Sequence, residues 1–249
     1  MVQCRGMEQI LTPLNHREIE YNAKKLSGCD IPDSFLYKSD QARALLDWVS
    51  QIGSKVFDDD LIMDYGTDCL RLYLLFENTP KEHDAPFYES WNEGALEGMY
   101  KFLGRYRRMI LAASVWNRRG GYCSASEKSI ETMRRALEQT QKKIAQCLNR
   151  ENTMPNRHNF VSALMELLNV LQRELKIGEI VTQIRKHAVS EAVPKKAWST
   201  REDGSTGKTN VQIGNNEAVM RICREFIILM APVACDLSRM LWMEIGTNI

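Results

Sequence analysis

A chain of 249 residues with 44% hydrophobic and 26% charged residues has the composition of a globular protein, which excludes disorder as its dominant state. No run of about 18 apolar residues free of charge is present, so no transmembrane helix is expected, and the residues after Met1 lead into no apolar signal core. The net charge of +1 selects no class of partner, and seven widely spaced cysteines without a C-x-x-C pair fit reduced thiols in a cytoplasm.

Apolar residues recur three and four apart along most of the chain, and almost nothing alternates with period two. A first helix is predicted from Asn15, as N-cap, to a stop at Gly28. A second runs from about Asp40 to Ile52, with Ala42, Leu45, Leu46 and Val49 on one face. Asp58-Asp59-Asp60 puts negative charge at the first turn of a short helix, where the macrodipole favours it. Tyr65-Gly66-Thr67 breaks the chain, and Thr67 is the expected cap of a helix carrying Leu70, Tyr73, Leu74 and Phe76.

Beyond a Pro80–Pro86 loop, a long helix is predicted over Tyr88 to Arg118, ended by Gly120-Gly121. Others follow from Ser126 to about Asn149, from Arg157 to Leu175, and from Glu217 to Ile245 with a bend at Pro232. Leu103, Leu164, Leu168 and Phe226 are core candidates by their spacing. Pro194 to Asn215 is polar and glycine-containing, and reads as an extended loop or hairpin. The fold class is therefore all-α, an antiparallel helical bundle.

Gly204-Ser205-Thr206-Gly207-Lys208-Thr209 resembles a phosphate-binding loop, but Glu202 stands where the first glycine is required and no strand precedes it. The four histidines do not cluster, and no catalytic constellation or metal site is specified, so no cofactor and no metal is expected. Charge distribution says more. No acidic residue falls between Glu97 and Glu127, while Lys101, Arg105, Arg107, Arg108, Arg118 and Arg119 all do. Lys101, Arg105 and Arg108 share one helical face, and guanidinium forks suit phosphate oxygens. These six residues are the candidate nucleic-acid contacts.

Four segments resemble the C-terminal helical part of the leucyl-tRNA synthetase family, a class I aminoacyl-tRNA synthetase family. Leu61 to Tyr73, with Tyr65-Gly66-Thr67-Asp68 and Arg71-Leu72, is similar to the Y-G-A-D-x-x-R-L stretch that follows the family's K-M-S-K-S loop. Trp91 through Arg105 is similar to the W-x-x-x-G-x-x-G-x-x-R-F-L-x-R helix. Ala163 to Asn169, and Met230-Ala231-Pro232 ending at Leu241-Trp242, resemble the last bundle helices. The matches cover roughly Ser54 to Gly246, in family order.

The resemblance implies an anticodon-binding helical bundle that docks on the tRNA backbone, through phosphate contacts rather than base readout. It divides the chain into a helical N-terminal extension with a degenerate signature loop, 1–53, and an anticodon-binding-like bundle, 54–249. Departures bear on catalysis. Asp47 to Gly53 stands where K-M-S-K-S should, without its lysines, and no H-x-G-H motif exists. The segment before residue 54 is too short for a nucleotide-binding fold, the family's C-terminal tRNA-elbow domain is not expected after Trp242, and Asp236 replaces the histidine of A-P-x-x-x-H. The expectation is a free-standing module that binds tRNA without catalysis. The alternative is a partner subunit docking on a synthetase through an apolar face around Met7, Ile10 and Leu11. No membrane association is expected.

Overall fold

In a computed structural model, residues 10–25, 31–32, 43, 59–76, 92–118, 125–148, 157–190 and 210–246 are described, and their regular structure is all helical. Nine helices are described: α1 His16–Lys25, α2 Asp59–Tyr65, α3 Thr67–Phe76, α4 Glu93–Arg118, α5 Glu127–Leu148, α6 Arg157–Glu174, α7 Ile177–Ser190, α8 Asn210–Met230 and α9 Cys235–Gly246. The all-α expectation holds. Of the predicted 40–52 helix only Arg43 is described, and it is helical; the 80–86 loop, Gly120-Gly121 and the phosphate-loop-like residues 204–209 lie outside the described residues.

Local chemistry sets most helix starts. Asn15 accepts the Glu18 N–H at 3.2 Å and Ser126 accepts that of Ser129 at 3.1 Å, as N-caps do. Asn92 does the same for Ala95, so α4 begins at Glu93 rather than at the predicted Tyr88. At α3 the cap is Gly66, not Thr67: Leu70 N–H bonds the Gly66 carbonyl, and Gly66 adopts φ 79°. An added Cβ there would lie 2.6 Å from the Cβ of His16, so both backbone and space demand glycine.

Three further boundaries differ from the expectation. The chain turns between α6 and α7 at Lys176, which holds φ 50° without being glycine, and a further helix follows that the reading did not place. Helix α8 starts at Asn210, so the last residues of the predicted 194–215 loop are helical. Pro232 does not bend one long helix but separates two. It has no N–H to continue the ladder, Val233 N–H turns back to the Met230 carbonyl, and α9 begins at Cys235.

The core runs through every layer. Leu103, Leu164, Leu168 and Phe226 are all buried, with Tyr106 set edge-on to Phe226 at a centroid distance of 5.1 Å. Helix α5 packs most extensively on α6, and its Lys143 pairs with Glu166 across the seam. Helix α1 packs on α9, and Ile19 and Ala23 join the core. Cys69, Cys147 and Cys223 are buried as free thiols, small hydrophobes rather than ligands. Among the described residues no helix is long and apolar enough to cross a membrane.

Candidate nucleic-acid interface

Helix α4 buries Leu96, Met99, Phe102, Leu103, Tyr106, Met109 and Ile110, the three-and-four stripe that seats it in the core. The remaining face carries Lys101, Arg105 and Arg108, all exposed. The structure thus brings these three cations to one surface. They differ in what holds them. Lys101 pairs with Glu97 one turn back at 2.8 Å, with both side chains more than half exposed. An exposed i,i+4 pair of this kind contributes only about 0.3–0.5 kcal/mol, so solvent or a phosphate competes with it readily.

No acid among the described residues lies at ion-pair distance from Arg105. Its Nε donates to Gln172 Oε1 at 3.1 Å, and its Nη2 donates to the same oxygen at 2.6 Å and to Asn169 Oδ1. Gln172 Nε2 in turn donates to the Arg105 carbonyl at 3.3 Å. Both partners lie on α6, so the guanidinium spans two helices while its charge is not neutralised. Arg108 is exposed, with no carboxylate of the described residues at ion-pair distance.

Arg107, also a candidate from the sequence, is placed differently, inside the fold. It is 6% exposed, and its Nη1 donates to the carbonyls of Thr12 and Pro13, each at 3.4 Å. Burial lowers its pKa, only partly offset by Glu18. With the Tyr100 hydroxyl donating to the Leu14 carbonyl, Arg107 straps residues 12–14 onto α4. A position one residue before Arg108 points inward because successive helical residues turn by about 100°. Arg118 ends α4, with its side chain outside the described set, and Arg119 lies outside the described residues.

A second cluster occupies the motif positions around Asp68. Its buried carboxylate accepts the N–H of Leu237 at 2.8 Å and of Asp236 at 3.4 Å, capping α9 from the start of α3. Arg71 bonds it at 3.1 Å. Burial, and then the nearby Asp236, push the Asp68 pKa up to about 6, against the two backbone N–H groups and Arg71, which pull it down. Glu20 of α1 completes the junction by accepting both the N–H and the hydroxyl of Thr67, at 3.0 and 3.2 Å. Asp68 and Arg71 therefore join helices. Asp236 sits beside them at the N-terminus of α9, ion-paired with Arg239 at 3.9 Å. This is polar architecture, and no group of His, Cys, Asp or Glu able to hold a metal gathers among the described residues.

With the bundle and its motif junction in view, comparison with known proteins becomes informative. Over 200 residues the chain is 27% identical to the leucine–tRNA ligase of Petrotoga mobilis, a match covering 79% of this chain and 19% of that protein. The chain resembles part of a leucyl-tRNA synthetase. The leucine–tRNA ligase of Pseudothermotoga lettingae is 25% identical over 198 residues, and that of Syntrophobacter fumaroxidans 26% over 203; each match covers 78% of this chain and 19% of the relative. The chain thus spans about a fifth of the length of these curated synthetases. No family model matches it, and no solved structure does.

The synthetase-like reading placed Asp68, Arg71, Arg105 and Asn169 in matching segments but could not see that they form two junctions. It did not single out Gln172, which carries no motif signal and touches Arg105 only because α4 and α6 are neighbours. Nor did it find Arg185 and Lys186, exposed on α7, which packs against α4. Their signal was available in the periodicity of Ile177, Ile180, Val181 and Ile184, which leaves those two cations on the outer face.

Proposed function

We propose that this chain is a synthetase-like module that binds the tRNA phosphate backbone and carries out no aminoacylation of its own. On this reading residues 54–249 are the binding bundle and 1–53 an extension, of which α1 packs on α9. The observation that carries the reading is the outer stripe of α4, where Arg105 and Arg108 stand without a carboxylate partner among the described residues, beside a weakly leashed Lys101. Arg118, the last residue of α4, and Arg119 stay in the proposed set on the sequence alone, since neither side chain is among those described. Long-range attraction and counterion release act on such a stripe without base readout. That suits a partner recognised by its backbone.

Absence of the signature lysines at residues 47–53 supports a non-catalytic role. The partner-subunit alternative rested on an apolar face at Met7, Ile10 and Leu11. Ile10 is 1% exposed and Leu11 packs against the core, so the described part of that face is already used within the chain, and Met7 lies outside the described residues.

Titration of the full chain with unfractionated tRNA at two salt concentrations tests the proposal. Binding that weakens steeply with salt is expected, and Arg108→Ala should flatten the slope of log K against log salt by about one unit for all tRNAs alike. No binding at low salt, or an Arg108→Ala slope equal to wild type, counts against it. Leucine-dependent pyrophosphate exchange by the purified chain would overturn the non-catalytic half.

A further inference from the structure

We propose that Asn169 and Gln172 are positioning residues that hold Arg105 ready for a phosphate, an inference that rests on the tRNA-binding reading above. An arginine on an exposed helix face is ordinarily either mobile or neutralised by a nearby acid. Arg105 is neither. Its Nε–H and both Nη2 N–H groups are taken by two side-chain amide oxygens of the neighbouring helix. The two N–H groups of Nη1 have no partner among the described residues.

The chemistry of the holders is the point. A carboxylate at either position could accept the same guanidinium N–H groups but would cancel the charge, and at 172 it would also lose the donation to the Arg105 carbonyl. An amide oxygen fixes the fork and leaves the full positive charge to act on a ligand. The orientation of the Gln172 amide has one solution, because its oxygen faces the guanidinium while its nitrogen donates to the Arg105 carbonyl. Asn169 and Gln172 stand three apart on α6, so one helical face presents both oxygens. The three side chains form a small cradle that reads a dianionic or monoanionic phosphate oxygen at Nη1. Lys101 cannot be held in this way, since its partner is the acid Glu97.

Substituting the acid for the amide separates holding from charge. Gln172→Glu keeps the bonds to Nε and Nη2 as an ion pair and loses the donation to the Arg105 carbonyl, so its Tm should stay near that of wild type. Its affinity for unfractionated tRNA should nonetheless fall about tenfold, with the salt slope flattened by about one unit. The double variant Asn169→Ala, Gln172→Ala keeps the charge but frees the side chain. It should bind several-fold more weakly with the wild-type slope. In the free wild-type protein the Arg105 Nε–H should give a slowly exchanging 1H–15N signal that the double variant loses. Wild-type affinity and slope in Gln172→Glu would overturn the inference while leaving tRNA binding intact. A rapidly exchanging Nε–H in wild type would refute the cradle without reference to tRNA, whereas failure of wild type to bind tRNA removes the broader reading and this one together.

Discussion

Replacing Asp68 with Asn isolates one buried titration in the helix junction. The carboxylate is 7% exposed, and its pKa is raised from 3.8 to about 6, first by burial and then by Asp236. Between those pH values the folded protein therefore binds more protons at this site than the unfolded chain does. The sign follows: the contribution is fully present below about pH 4 and is lost as pH rises toward 6. Two pKa units at about 1.4 kcal/mol each make that loss about 3 kcal/mol. Asn does not titrate, and carboxylates other than Asp236, which is coupled to Asp68, titrate alike in both proteins. The difference in unfolding free energy, wild type minus Asp68→Asn, should accordingly fall by about 3 kcal/mol across that window. Urea denaturation at half-unit pH steps measures it. A difference that stays flat, or rises with pH, would mean that the Leu237 N–H and Arg71 outweigh burial, and the reasoning would be wrong.

Gly66→Ala should destabilise the chain by at least about 1–2 kcal/mol from the left-handed backbone alone, with more from the clash with His16, read as a lowered urea midpoint. Leu168→Ala should cost about 2–5 kcal/mol, because its side chain is fully buried, and an unchanged Tm would contradict the packing described. Arg107→Ala should speed amide exchange and proteolysis around residues 12–14 while leaving the tRNA salt slope unaltered. A flattened slope would instead place Arg107 among the contacts. Arg185→Ala with Lys186→Ala should flatten that slope if the phosphate surface extends onto α7, and leave it unchanged if α4 acts alone.

Sequence alone was enough for the helical class, the caps at Asn15 and Ser126, and the core candidates. Each of these depends on residues within a turn or two of one another: Asn15 reaches Glu18, and Leu164 and Leu168 fall on one face whatever they meet. The acid-free window was equally legible, and so was the family likeness. What each cation does was not. Arg107 and Arg108 are adjacent in sequence and similar in chemistry, yet one straps residues 12–14 and the other faces solvent, because only the position of the core decides which side of α4 is inside. The stop at Lys176 was found at Leu175 without its cause, since a lysine in the left-handed region advertises no turn. Asp68 reaches Leu237, and Arg105 reaches Gln172, across 169 and 67 residues of chain. Hydrogen bonds of that span are fixed by which helices become neighbours, a choice made by burial summed over the whole chain rather than by any local pattern.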